Sequence, residues 1–390
     1  MTTPETGGPE RELGAEFPTA RVRGILARAT ATLGDRLRRT NSRLLPGRLL
    51  YGPEWLVLGV NNVCNLRCRM CDVGQAETET NFARNLVGSS PRDMPIELVE
   101  RIVVQTERHF PSARLGFAFT EPLIYPHLVE AVGLATARGL SSAVTTNGLT
   151  LKSSASELAA AGLDDLFLSL DGPPEIHDEI RGRAGSFDRA VAGVDVLVAA
   201  DPRPRISVFC VITPWNQGRL ISFLEVLSHL PLEQIGFMHP NFTTEAVVRS
   251  HNSIYGSSYP ATTSNLGPFD PADMDLPLLE AELAAIESRQ WPFPVSFSPN
   301  LRGAAALDRF YNRPAELIGR SCGDACRALM VKSDGRVIPA HGRCYDVTVG
   351  NLHETTLPEI WNSAELGRFR KTLNRAGGLL PACSRCCSAF

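Results

Sequence analysis

Between residues 55 and 238, short apolar runs alternate with longer segments whose apolar positions recur every three or four residues. The runs read as strands of a buried parallel sheet, and the longer segments as amphipathic helices. Their alternation is the sequence sign of β-α units. The pattern predicts six strands, at 55–61, 115–120, 142–146, 165–170, 205–212 and 234–238, with helices at 95–109, 127–137, 154–161, 187–200 and 217–230. Six such units make an α/β fold of the partial (β/α)6, TIM-type barrel kind. In barrels the reactive groups collect in loops at the C-terminal strand ends. The polar motifs fall there: Cys64, Cys68 and Cys71 follow strand one, Thr120-Glu121-Pro122 strand two, Thr145-Thr146-Asn147-Gly148 strand three and Ser169-Leu170-Asp171-Gly172 strand four.

The flanks differ in kind. Residues 1–20 are rich in Gly, Pro, Glu and Thr without periodicity, which predicts disorder. From 19 to 50 the chain is Arg-rich, with Val22, Ile25, Leu26, Leu33 and Leu37 at helical spacing, which predicts a basic helix. Past the last strand, polar aromatics and amides such as His239, His251, Asn252, Tyr255 and Tyr259 could line a cavity. The stretch 332–338 reads as a hairpin turning at Asp334-Gly335. The expected organisation is a 1–50 extension, a 51–240 barrel core, a 241–319 bridging region that sets specificity, and a cysteine-rich 320–390 domain.

Composition narrows the function. At 390 residues, 43% hydrophobic and 21% charged, with formal net charge -3, the chain is an ordinary globular protein with room for a sizeable core. The charge gives no reason to expect nucleic acid as a partner. No apolar run spans a membrane and no signal peptide opens the chain, so the expectation is a cytoplasmic protein with no membrane partner. Ten cysteines in clusters then argue for metal ligation over disulfides.

Thiolates are soft ligands that select iron-sulfur clusters or zinc, and the C-x3-C-x2-C run of Cys64, Cys68 and Cys71 supplies three where a closed zinc site wants four. Without more, a zinc knot completed by a distant residue and simple buried thiols stay open. The run resembles the signature of the radical S-adenosylmethionine (SAM) superfamily. The resemblance implies a [4Fe–4S] cluster on these three cysteines, with SAM bound at its open iron. Reductive cleavage of SAM to a 5'-deoxyadenosyl radical would follow, with a flavodoxin- or ferredoxin-type electron donor.

Further roles come with the resemblance. Glu121 matches the Gly-Gly-Glu position that holds the amino group of SAM, although Phe119 and Thr120 replace the two glycines. Thr146 and Asn147 match a segment lining the same cavity, Ser169 and Asp171 residues that reach ribose or substrate, and Arg181 a position near the SAM carboxylate. Met70 stands where an aromatic usually packs on adenine. Cys210, on strand five, reads as core or as a barrel-facing thiol that returns a hydrogen atom, and Asn216 just beyond is a cavity candidate.

The last seventy residues resemble the SPASM or shortened "twitch" extension, which implies an auxiliary [4Fe–4S] cluster. Of Cys322, Cys326, Cys344, Cys383, Cys386 and Cys387, the preferred ligands are Cys322, Cys344, Cys383 and Cys386. Ala340 occupies the place of the next usual cysteine, and zinc is the alternative metal. The expected activity is oxidoreductase or epimerase chemistry on a small sugar-like or aminocyclitol-like natural product. Peptide maturation is the alternative, lowered by the absence of a strand pattern in the first fifty residues, where a peptide-binding domain would sit. A non-catalytic iron-sulfur or zinc scaffold is the third reading.

Overall fold

The computed structural model describes residues 34–87, 90–266 and 269–390. The disorder expected for residues 1–20, and the Val22, Ile25, Leu26 and Leu33 part of the basic helix, lie outside them. A helix does cover 34–44, and its Leu37 is exposed.

Strands β1 (Trp55–Leu58), β2 (Arg114–Phe117), β3 (Ser142–Thr146), β4 (Asp165–Ser169), β5 (Arg205–Val211) and β6 (Gln234–Met238) form in the expected order. Each pairs in parallel with its sequence neighbour. Their interior positions are almost uniformly apolar because helices cover the sheet: Leu56, Leu115, Val144, Leu166, Val208 and Ile235 are all fully buried. The alternation stops one strand short, however. β7 (Val295–Ser298) adds in parallel beside β6, and its half-exposed Val-Ser-Phe-Ser pattern lacks the continuous apolar run of a central strand.

The opposite edge is extended from the C-terminal region. β8 (Ala328–Val331) pairs in parallel with β1, then β9 (Arg336–Ile338) and β10 (Gly350–Asn351) follow antiparallel, giving one ten-stranded open sheet. The expected hairpin is β8-β9, and its turn needs the left-handed Gly335 (φ +82°). The main apolar core runs from the barrel helices to Trp361 and Phe369 of the extension, and a small second cluster joins Phe82, Leu86, Met330 and Ile338. Among the described residues, no helix is long and apolar enough to cross a membrane.

Candidate functional site

The triad loop leaves β1 and doubles back under its own hydrogen bonds, Cys71 N–H to Cys68 O (3.2 Å) and Gln75 Nε2 to Cys68 O (3.0 Å). Close approach is possible because position 74 is glycine, where a Cβ would sit 2.6 Å from the Cys68 backbone. Cys64 is exposed, Cys71 half-buried and Cys68 buried. Burial pushes the Cys68 thiol up to about 12, and Arg181 pulls in the opposite direction.

Arg181 ends the helix Pro174–Arg181, and the left-handed Gly182 that caps it lies against Arg67 O. Its Nη1 is 3.7 Å from Cys68 Sγ, while Nε donates to Asp171 Oδ2 at 2.6 Å. Burial would favour its neutral form, but Asp171 and Cys68 outweigh that and hold the guanidinium charged. Asp171 is fully buried, and its other oxygen accepts the Val211 N–H at 2.9 Å. Both carboxylate oxygens therefore serve the protein. Asp171 pairs with Arg181 and holds its guanidinium against Cys68 Sγ.

Glu121 plays a similar bracing part. Its carboxylate accepts from Leu123 N (2.9 Å), Thr146 Oγ1 (2.6 Å) and Asn147 N (2.8 Å), tying the ends of β2 and β3 together. Its main chain joins the triad side through Val63 O (3.2 Å) and Asn61 Nδ2 (2.8 Å). Burial raises its pKa, and the three donors oppose the rise. Asn147 Nδ2 reaches Asn65 Oδ1 within the triad loop at 2.8 Å. Phe119, where glycine is usual, is held at φ +90°, a strained backbone for a side-chain-bearing residue, and its ring meets His341 edge-on at 5.9 Å.

In the extension, Cys322, Cys344, Cys383 and Cys386 line one cavity with about 700 Å³ of open space, mouth included. Burial raises the Cys322 and Cys344 thiols well above normal and takes Cys383 up to about 11. Tyr345 Oη lies 3.2 Å from Cys383 Sγ. His341, on the same wall, has a ring nitrogen within 4.8 Å of the Cys386 and Cys387 sulfurs.

Both thiol groups have counterparts in known proteins. Residues 59–227 match the radical SAM superfamily and residues 322–387 the SPASM iron-sulfur cluster-binding domain. The chain carries a radical SAM domain and a SPASM domain. It is 42% identical to an AdoMet-dependent heme synthase of Methanosarcina barkeri over 21% of this chain and 24% of that protein. It is 33% identical to the mycofactocin maturase MftC of Mycobacterium tuberculosis over 46% of this chain and 43% of that one. The chain thus spans less than half the length of either relative. In fold it resembles SuiB of Streptococcus suis, with a TM-score of 0.59 at 16% identity over 95% of this chain and 83% of that one. A radical SAM domain implies a [4Fe–4S] cluster with SAM, and a SPASM domain implies auxiliary clusters.

The donor chemistry fits these groups. Three thiols on the radical SAM loop leave one iron for SAM, and four more surround the SPASM cavity. Met70 and Ser169 are half-buried at the triad loop and the end of β4. Cys210 is corrected: it is fully buried in the apolar core, on the face of β5 shared with Ile206 and Val208. Phe209, on the other face, packs on Phe167. Asn216 is likewise internal, donating to Asp171 O and Val211 O. Cys326 lies off the SPASM cavity, where its charged neighbour is Arg370. Among the bridging residues, His239 pairs with Tyr311 Oη (2.7 Å), His251 with Tyr259 O (2.7 Å) and Asn252 with Ala261, all bonds that hold this segment together. Sequence reasoning did not join Asp72, Ser264 and Arg343, which meet here: the Ser264 hydroxyl donates to Asp72 Oδ2 and accepts from Arg343 Nη1, each at 2.7 Å. The position of Asp72 directly after the triad was the available signal.

Proposed function

We propose that this chain is an oxidative radical SAM enzyme, in which a substrate carbon loses a hydrogen atom near the triad and the second electron leaves through the SPASM centre. The observation that carries this reading is the convergence of Cys322, Cys344, Cys383 and Cys386 on one cavity. With Cys64, Cys68 and Cys71 as ligands, the bound cluster and SAM would supply the 5'-deoxyadenosyl radical. Arg181 would compensate the thiolate of Cys68, Glu121 and Asn147 would keep the strand-end loops in register, and Ser169 and Met70 would border SAM. The core position of Cys210 supports oxidation over epimerisation, for which that thiol was the candidate hydrogen donor.

The substrate reading moves toward a peptide, supported by the similarity to a maturase over nearly half of this chain. A small hydroxylated natural product is the second reading. It is supported by Asn81, Asn241, Thr243, Thr262 and Ser264, amide and hydroxyl groups on the wall of the SPASM cavity. The test is reductant-dependent release of 5'-deoxyadenosine by the anaerobically reconstituted chain, followed by product mass. Loss of two hydrogens supports oxidation. A mass unchanged in water that rises by one in deuterium oxide would replace it by epimerisation, and no 5'-deoxyadenosine would leave a scaffold.

A further inference from the structure

Asp72 follows the last triad cysteine directly, and its carboxylate is buried. Oδ1 accepts the Asn265 N–H at 2.6 Å and Oδ2 accepts the Ser264 hydroxyl at 2.7 Å. That hydroxyl in turn accepts from Arg343 Nη1 at 2.7 Å. Arg343 is the residue before Cys344, and it lines the cavity that Cys322, Cys344, Cys383 and Cys386 share. Its Nη1 is 4.0 Å from Asp72 Oδ2, and no other carboxylate lies within that distance of it among the described residues.

The chain therefore joins one residue from each of three regions through hydrogen bonds that meet at the Ser264 hydroxyl. Asp72 comes from the radical SAM loop, Ser264 from the bridging segment and Arg343 from the SPASM loop. A hydroxyl suits the middle place because one atom can accept from the guanidinium and donate to the carboxylate. The flanks are fixed as well. The Arg343 guanidinium lies over Phe82 at 4.4 Å, and Asn85 donates to Gly342 O (2.9 Å) and Cys344 O (2.8 Å). Phe82 and Asn85 both belong to the helix Asn81–Leu86, which follows the triad loop. The position of the cation beside Cys344 is thus set by parts of the radical SAM domain.

We propose that Asp72, Ser264 and Arg343 form a positioning relay that fixes a guanidinium beside the SPASM centre, so that its reduction potential answers to the radical SAM loop and the bridging segment. A nearby cation favours the more negative, reduced state of a thiolate-ligated centre and so raises its potential. A ligand that displaces Ser264 would let Arg343 swing away, and the potential would fall. The inference rests on the reading that the SPASM cysteines hold an iron-sulfur cluster.

The experiment is an EPR-monitored redox titration of the full chain, anaerobically reconstituted, with iron counted in each sample. Variants are Arg343→Gln, Asp72→Asn and Ser264→Ala. With iron content unchanged, the expected result is a lower SPASM-centre potential for Arg343→Gln and Ser264→Ala, largest for Arg343→Gln, and a shifted potential for Asp72→Asn, where release of Arg343 lowers it and loss of the negative charge raises it. The telling case is Ser264→Ala, because it keeps both charges and breaks only the link between them. A SPASM potential unmoved by Ser264→Ala overturns the relay. If Asp72→Asn loses iron, Ser264→Ala, which keeps both charges, decides alone. A chain with Cys64, Cys68 and Cys71 replaced by Ala separates the two failures: iron near zero there refutes the auxiliary cluster itself, whereas about four irons with an unmoved potential in the relay variants refutes only the relay.

Discussion

The two thiol-rich regions treat buried positive charge in opposite ways. Beside the triad, Arg181 is neutralised by Asp171 at 2.6 Å. In the extension, Arg370 and Arg385 are buried with no carboxylate in ion-pair distance among the described residues. Arg385 donates to the carbonyls of Arg309, Phe310, Arg313, Pro314 and Glu316. Arg370 donates to those of Ala325 and Trp361 and leaves Nη2 without a partner. Burial lowers both guanidinium pKa values to about 10. A buried cation held only by dipoles is an incomplete arrangement unless an anion completes it. The barrel site is electrically closed as it stands, whereas the extension is built around negative charge that its thiolates and cluster would supply.

The largest test of this contrast separates activity from stability. Replacing Cys64, Cys68 and Cys71 by Ala should abolish 5'-deoxyadenosine formation and lower the thermal midpoint by circular dichroism less than loss of the SPASM thiols does, because Arg181 keeps its carboxylate partner without the cluster. Replacing Cys322, Cys344, Cys383 and Cys386 by Ala should instead lower the midpoint by roughly 5–10 °C relative to the loaded parent, since a ligand held only by the native state stabilises it. Equal midpoint losses in the two variants would break the comparison.

Smaller effects sharpen it. Asp171→Asn leaves Arg181 without its counter-charge and should cost about 3–5 kcal/mol in denaturant unfolding. Arg370→Met removes a cation that has no partner carboxylate and should cost less, about 1–2 kcal/mol, in the metal-free chain. The reverse order would place the electrostatic weight in the extension. The smallest effect is pH. His177 is fully buried, Nδ1 accepts the Asp171 N–H at 3.1 Å, and burial lowers its pKa to about 3 from an ordinary 6.5. The native state binds fewer protons here than the unfolded chain, so this stability is complete above pH 6.5 and is lost as pH falls toward 3. A His177→Gln variant should show a flatter acid limb in unfolding titrations.

The sequence made the barrel legible because parallel strands covered by helices must be continuously apolar, and β3 to β6 stand where those runs are. β7 escaped because Ser296 and Ser298 interrupt the signal on a strand with an exposed face. The triad was legible from its spacing together with the family resemblance, since the spacing by itself left zinc and buried thiols open. The family resemblance singled out Arg181 as a neighbour of the SAM carboxylate, but its contacts with Asp171 and Cys68 were not legible, since a helix-end arginine in a charged segment otherwise reads as solvated. The relay was not legible: Ser264 meets Asp72 across 192 positions and Arg343 across 79, and single polar residues carry no periodic signal. Cys210 stayed open between core and barrel interior for a related reason, because strand alternation gives two faces without saying which one points inward.

The pairing of β8 with β1 bears on how the chain is made. β1 emerges early and gains β2 on one side, but its other edge waits for a strand that begins at residue 328. At ordinary translation speeds that interval is on the order of tens of seconds, during which Leu56 and Leu58 border an unsatisfied ladder. Such an edge is a template for pairing with other nascent chains. Expression yield should therefore depend on chaperone supply and growth temperature, and fragments that stop before residue 328 should aggregate even though they contain every barrel strand from β1 to β7.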